Sequence, residues 1–430
     1  MEIESRVIMS LNPINSCRIC KSKDLTPIIS LNEQYIATFT PKKDESLSLP
    51  NKFPLDLVRC DIEKNPEGCG LVQLLHSVPK EFLYKRYFYR SGINKTMNEN
   101  LCEIVQEAVS KIKLNENDLV LDIGCNDGTL LKNYQEMNLQ LVGFDPAENM
   151  AEFSKKTGAE IIIDYFNENS FKKRFGSKKA KIITSIAMFY DLDDPNIFVK
   201  DISKILDNEG VWIIELSYLP LMMKQNAFDT IVHEHLEYYH LKVLERLFFK
   251  HDLKVVDVFL NNVNGGSIRL FIKHKDQNLS KDASSRIKKI KNDEEKLRLD
   301  TEKPYIEFYN RCEKLKEKTI SFIKNEKEKG KKIFAYGAST KGNTLLQFYG
   351  IDNKIIEKVA DRNSDKWGRR TVGTDIQIIS EKEARKSNPD YFFILPWHFL
   401  DEFIDREEDF LNNGGKFIVP LPDFKIISNE

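Results

Sequence analysis

From Leu101 to about Val263, short apolar runs alternate with longer polar stretches. The runs VLDIG, LQLVGFD, EIIID, KIITSIA, GVWIIEL and LKVVDVFL are rich in β-branched residues and of strand length, and the stretches between them read as helices. This alternation predicts an α/β domain built on a doubly wound parallel sheet. After Lys332 the pattern returns in KKIFAYG, IIEKVAD, DYFFILP and GGKFIVPLP, the strands of a second, smaller Rossmann-like unit. Between Lys273 and Lys332 the chain is dense in Lys and Glu. There Ile306, Tyr309, Leu315, Ile320 and Ile323 recur at helical spacing with one break at Pro304, which predicts long solvent-facing helices. Residues 14 to 78 show neither period and read as a small, loop-rich unit. The expected organisation is therefore three parts, at 1–80, 81–275 and 276–430.

Charge narrows the choice of partner. Lys plus Arg (65) and Asp plus Glu (66) nearly cancel, so no long-range field favours nucleic acid or an anionic membrane. A small, individually recognised substrate fits better. The N-terminus, MEIESRVIMSLNPINSC, lacks the basic start and apolar run of an export signal, and no apolar stretch approaches the roughly 20 residues that cross a bilayer. The expected location is the cytoplasm. In that reducing compartment clustered cysteines serve metals more readily than disulfides. Cys17-Arg-Ile-Cys20, Cys60 and Cys69 supply four thiolates, the number a closed structural zinc site needs. The second pair encloses eight residues rather than two, which is tolerable because only the ligand ends must converge. Cys102, Cys125 and Cys312 stand alone and are expected to be small buried hydrophobes.

Candidate cofactor chemistry lies in VLDIGCNDGTLL. A strand delivers the chain to Gly124, where a missing side chain permits a sharp turn and close approach of a ligand, and Gly128 closes the loop. Asn126 stands where many dinucleotide loops have a second glycine. A pyrophosphate needs bare backbone there, so the loop disfavours NAD and suits S-adenosylmethionine, which carries no phosphate. Asp122 is placed to hold the methionine ammonium. Asp145 ends the next strand about 20 residues on, the distance from which a carboxylate accepts ribose hydroxyls. Asp164 follows as an adenine contact, with Ala187 to Tyr190, Phe189 among them, lining the pocket.

A second chemical centre is FDTIVHEHLEYY, just after the fifth strand and hence near the C-terminal edge of the sheet, where α/β enzymes collect substrates. His233, Glu234 and His235 offer a base that titrates near neutrality and a carboxylate to orient it. No third ligand at a metal-binding spacing accompanies the two histidines.

These segments jointly resemble the three-domain sugar C-methyltransferases, which act on nucleotide-linked 4-keto-6-deoxy sugars. The blocks CRIC, PLDLVRC, CGLVQL, YFYRSGINKTM, VLDIGCNDGTLL, FDTIVHEHLEYY, NGGSIRLF, YGASTKGNTLLQFYGI, PWHF and GGKFIVPLP carry the resemblance in order along nearly the whole chain. It implies a zinc-binding domain at 1–80, a Rossmann domain holding S-adenosylmethionine at 81–275, and a helical linker with a Rossmann-like substrate-binding domain at 276–430. The implied reaction removes the proton beside the 4-keto group and lets the enolate take the methyl group. His235 then matches the general base and Glu234 its orienting carboxylate. Val232 departs from the pattern, since many members have tyrosine there, and the resemblance offers Tyr87 or Tyr89 as the replacement hydroxyl. Arg90, Lys341, Asn343 and His398 fall where substrate contacts are expected. The same histidine also suits O-methylation of a sugar or another small metabolite.

Overall fold

A computed structural model describes residues 11–37, 52–84 and 87–429. The first ten residues, part of the segment read as lacking an export signal, lie outside them. Among the described residues, β1 (Leu25–Gln34), β2 (Phe53–Cys60) and β3 (Val72–Leu74) begin an antiparallel N-terminal sheet. The central sheet takes β4 (Leu119–Ile123), β5 (Gln140–Phe144), β6 (Glu160–Ile162), β7 (Ala180–Ile186) and β8 (Leu206–Ser217). The two-residue β9 (Glu237–Tyr238) leaves that domain to pair with β3 as the fourth strand of the N-terminal sheet. Central strands β10 (Leu253–Asn261) and β11 (Ser267–His274) follow. The C-terminal sheet contains β12 (Ile333–Tyr336), β13 (Lys358–Asp361), β14 (Gln377–Ser380), β15 (Tyr391–Ile394), β16 (Lys416–Val419) and β17 (Lys425–Ile427).

The central order is β10-β11-β8-β7-β4-β5-β6, parallel from β8 to β6, with β11 antiparallel to β8 and to β10. β4 lies between β5 and β7, so the loops leaving β4 and β7 diverge and open a crevice at the carboxyl edge, where ligands of such sheets bind. β11 escapes the apolar-run criterion because Arg269 sits in its middle. That guanidinium is buried and bonded to Glu215 and Glu107, each at 2.8 Å, and to Asn100 at 2.8 Å, so an internal ion pair occupies a core position. The C-terminal order, β14-β13-β12-β15-β16-β17, is parallel except at β17.

The Lys/Glu-rich stretch forms two helices, Lys281–Leu297 and Lys303–Glu328, with Pro304 in the first turn of the second, where its missing N–H costs nothing. They are not simply solvent-facing. Ile287 and Ile290 pack the first onto the central core, and Phe308, Cys312 and Ile323 join the second to the C-terminal core, while Ile306 is 52% exposed. One continuous core unites Leu31, Leu57 and Leu74 of the N-terminal sheet with Phe228, Tyr238 and the C-terminal strands. The three parts are thereby packed around a single crevice. No helix among the described residues is long and apolar enough to cross a membrane.

Candidate active site and metal centre

The sulfurs of Cys17, Cys20, Cys60 and Cys69 all lie within 4.8 Å of one another. Cys17 and Cys69 approach to 3.5 Å and Cys20 and Cys60 to 3.4 Å, and all four are free thiols. A tetrahedron with metal–sulfur bonds of about 2.3 Å has edges of roughly 3.8 Å, so the cluster has the right span for zinc. Three of the four cysteines are buried and the Cys69 N–H donates to the Cys60 sulfur at 3.4 Å, which suits thiolates that ligate a cation. The eight intervening residues fold back as a turn, with the Asn65 N–H on the Asp61 carbonyl and the Gly68 N–H on the Asn65 carbonyl. These residues fit a structural zinc ion and would hold it by sulfur alone. Of the remaining cysteines, Cys125 and Cys312 are buried as expected, whereas Cys102 is partly exposed.

A cavity of about 500 Å³ lies between the three parts of the chain, and most of the predicted residues line it. At its cofactor end, Gly124 turns with φ of +76° and Asn126 with φ of +50°. Asp122 accepts from the Thr184 hydroxyl at 2.6 Å, and burial pushes its carboxyl up to about 7. The Asp145 carboxylate accepts from the backbone of Asn126 and of Ala147, each at 2.8 Å; burial raises it as well. Two desolvated carboxylates without a cation are complementary to an ammonium and to ribose hydroxyls, so these residues fit S-adenosylmethionine. Asp164 and Ala187 border the same space. Two of the predicted positions do not. Gly128 is excluded because its role is packing: at φ of +78°, a Cβ would stand 2.7 Å from the Thr157 side chain. Phe189 turns the other way, into an aromatic cluster with Trp212, Phe198, Phe248 and Tyr239, because Ala187 enters the left-handed region (φ +53°) and redirects the chain after β7. Met188 and Tyr190 face the cavity in its place. Losing one charge-assisted hydrogen bond to a ribose hydroxyl would cost about 1.5–3 kcal/mol, so Asp145→Ala is expected to raise the Kd for S-adenosylhomocysteine at least about 10- to 100-fold by calorimetry.

Asn126 does more than avoid a pyrophosphate. Its side chain accepts from the Ser91 N–H at 3.1 Å and donates to the Tyr89 carbonyl at 3.0 Å, while Asp127 accepts from the Gly92 N–H at 2.8 Å. Asn149 brackets the Tyr87 backbone and Asn363, from the C-terminal domain, donates to the Phe88 carbonyl. The segment from Tyr87 to Gly92 is thus strapped along the cavity by the cofactor loop, Asn149 and Asn363. Its side chains part ways. Tyr87 borders Glu234 and Asp191, whereas Tyr89, 39% exposed, lines the cavity beside Tyr87 and Tyr190 with the Asp127 and Glu402 charges near its phenol. Arg90 does not line the cavity; its guanidinium stacks 3.7 Å over the Phe153 ring.

The HEH segment is split by its turn. Val232, Glu234 and His235 line the cavity, while His233 points outward, with Nε2 at 3.2 Å from the Phe53 carbonyl of β2 and its ring edge-on to Phe53. His233 therefore joins domains rather than meeting a ligand. His235 Nδ1 lies 2.8 Å from the Thr230 carbonyl, which can only accept, so Nδ1 carries the hydrogen and Nε2 keeps a free lone pair. Burial, reinforced by the Lys341 charge, holds this imidazole down to about 3. Glu234, in contrast, is pushed up to about 8 by burial, and one of its oxygens has no partner. Around them lie residues that periodicity does not single out. Tyr190 packs at a tilt against His235 with ring centroids 4.1 Å apart and its carbonyl accepts from the Leu236 and Glu237 N–H groups. The Tyr84 hydroxyl donates to the Glu234 carbonyl at 3.1 Å, and Asp191 is buried beside Glu234. From the C-terminal domain come Lys341, Asn343 and His398. Asn343 donates to the Ala37 carbonyl at 3.4 Å and keeps its own oxygen unpartnered, as does His398 its Nδ1.

Comparison with known proteins divides the chain in the same order. Residues 17–84 match a zinc binding domain, 93–258 a methyltransferase domain and 262–422 a C-methyltransferase C-terminal domain. The C-methyltransferase NovU of Streptomyces niveus is 30% identical over 423 residues, covering 98% of each chain. A ubiquinone biosynthesis O-methyltransferase of Bartonella quintana is 29% identical over 101 residues, 23% of this chain and 41% of that one. A solved S-adenosylmethionine-dependent methyltransferase from Clostridium acetobutylicum covers 41% of this chain and 92% of its own, at 15% identity and a TM-score of 0.33.

Proposed function

Because the chain belongs to the family of S-adenosylmethionine-dependent C-methyltransferases with an N-terminal zinc-binding domain, we propose that it methylates a carbon beside the ketone of a nucleotide-linked 4-keto-deoxy sugar, by way of an enolate. The observation that carries this reading is the neutral His235, its Nδ1–H spent on Thr230 and its Nε2 lone pair open to the cavity that the cofactor residues and the C-terminal domain share. A ketone acidifies the neighbouring C–H enough for an imidazole to remove it. S-adenosylmethionine supplies, when bound, a methyl group on a sulfonium centre.

The chain's own residues divide the remaining work. Asp122 and Asp145 hold the ammonium and the ribose, and Gly124, Asn126, Asp164 and Ala187 shape the space between. Asn343 and His398 offer polar atoms to the nucleotide sugar from the far wall. Glu234, neutral at pH 7 because of its raised carboxyl, can donate a hydrogen bond toward the sugar. From the strap, Tyr87, Phe88, Tyr89 and Ser91 form one side of the cavity.

Enolisation has a signature that O-methylation lacks. With S-adenosylhomocysteine bound and no methyl donor present, the enzyme in deuterium oxide should wash one deuterium into the carbon beside the ketone of a nucleotide 4-keto-6-deoxy sugar, read by mass spectrometry. Methyl transfer to the sugar without any such exchange would replace this reading by transfer to oxygen.

A further inference from the structure

The position of Val232 leaves the enolate without the expected phenol. Valine has no donor, and the side chain is buried at the cavity wall. The three tyrosines near the HEH segment, Tyr84, Tyr87 and Tyr190, stand beside the buried carboxylates Glu234 and Asp191, and burial raises all three phenols. On that side the Tyr84 hydroxyl is spent on the Glu234 carbonyl, and the raised Glu234 and Asp191 carboxyls are neutral donors that bring no positive charge to an anion.

The opposite wall is built differently. Lys341 lies in the first turn of the helix Thr340–Tyr349, which Ser339 caps by accepting from the Gly342 N–H at 3.0 Å. Its ammonium donates to the Asn264 carbonyl at 2.7 Å, a bond that uses one of three hydrogens. Asn264 itself borders the cavity, and the adjoining Gly265 packs on the Trp397 ring. The Trp397 N–H in turn donates to Asp229 at 3.0 Å, next to Thr230, whose carbonyl fixes His235. Lys341, Asp229, Trp397 and the His235 anchor thus form one connected wall. The charge on Lys341 is felt by His235 and by His398, and burial lowers the ammonium itself while Asp229 opposes that fall.

We infer that Lys341 is a catalytic residue: its ammonium receives the enolate oxygen, in place of the hydroxyl that Val232 lacks, rather than serving as a phosphate anchor. In this arrangement the sugar lies with its ketone oxygen toward Lys341 and the neighbouring carbon toward His235 Nε2. The C–H bond breaks and its proton passes to Nε2. The bonding pair becomes the new C=C bond, and the carbonyl π pair moves onto oxygen, where two N–H donors of Lys341 hold it. A preorganised donor at a developing oxyanion in a dry site is worth roughly 10²- to 10³-fold in rate.

The inference rests on the enolisation reading, and its test separates the two. Deuterium exchange is measured with S-adenosylhomocysteine-bound enzyme on a panel of thymidine, uridine and guanosine diphosphate 4-keto-6-deoxyglucose. Lys341→Met, nearly isosteric and uncharged, should lower the maximal exchange rate roughly 10²- to 10³-fold while the KM for the sugar and the affinity for S-adenosylhomocysteine change by no more than a few-fold. Lys341→Arg should retain at least about a tenth of the rate. A methionine variant that raises KM but exchanges at the wild-type maximal rate would show Lys341 to be an anchor and overturn the inference. If that variant loses S-adenosylhomocysteine binding, Lys341→Gln is read by the same criteria. Absence of exchange by the wild type on every sugar overturns enolisation itself.

Discussion

Replacing His235 by alanine is expected to lower methyl transfer by two to four orders of magnitude, the range a positioned general base contributes, and to leave S-adenosylhomocysteine binding within about twofold. The asymmetry follows from placement. His235 stands on the turn before β9, bonded to Thr230 and packed against the Tyr190 ring, and neither contact involves Asp122 or Asp145. Steady-state kinetics with isothermal calorimetry on the same preparation checks both halves; a variant that still turns over would remove His235 as base. The imidazole also sets a pH expectation. A histidine held down to about 3 is neutral throughout the range above that value, so its protonation should not limit kcat/KM on the acid side until well below the usual histidine range. An acid limb near 6.5 that disappears in His235→Ala would contradict that environment.

Cys69→Ser, or removal of zinc by a chelator, is expected to abolish methyl transfer as completely as loss of the base, by a mechanical route. The four cysteines that would hold the metal tie Cys69 to Cys17, Cys20 and Cys60, and β3 begins three residues after Cys69. β3 pairs with β9, the Leu74 N–H donates to the Leu236 carbonyl at 2.9 Å, and Arg18, between the first two ligands, lies 3.6 Å from Glu237. His235 is the residue before Leu236. Structural zinc sites contribute roughly 10–16 kcal/mol of apparent binding free energy, comparable with or above the 5–15 kcal/mol that stabilises a whole domain. The N-terminal sheet should therefore lose its order and release the turn that carries the base. S-adenosylhomocysteine binding should weaken less than turnover, since the loop after β4 rests through Val120, Cys125, Leu130 and Leu131 on a cluster the knuckle does not enter, although Cys17, Cys60 and Cys69 share the neighbouring one with Leu121 and Phe144. Circular dichroism, metal content and calorimetry would show the two events separately, and full activity in a zinc-free protein would refute the connection.

Much of this was legible because burial demands apolar residues. The strands β4, β5, β7, β8 and the inner strands of the C-terminal sheet announce themselves as uninterrupted runs, and Asp145 is found by its distance from the glycine loop. Four cysteines converge because thiolates have few other uses in such a pattern. Other features carry no periodic signal. β9 is two residues long and owes its existence to a partner roughly 160 residues upstream. β11 hides behind Arg269, whose charge is neutralised only in three dimensions. Nothing in the letters HEH tells which histidine faces a ligand. That choice depends on the turn and on the Phe53 carbonyl, contributed by another sheet. Asp191 and Asp229 lie in short turns, where proximity to the centre is decided by the chain's path rather than by spacing. Phe189 and Arg90 show the converse, residues of promising type that the local backbone turns toward a ring cluster and toward Phe153.

The pairing of β3 with β9 also bears on how the protein is made. At 5–20 residues per second, the ribosome reaches Glu237 roughly 8–30 s after it has finished Leu74. Throughout that interval the nascent N-terminal module presents β3 as an open edge, a template for unwanted strands. Metal capture by the early cysteines can close the knuckle at once, but the sheet is completed only when the segment bearing His235 arrives to cover it. The turn that lines the cavity is thus placed by the same event that covers the β3 edge.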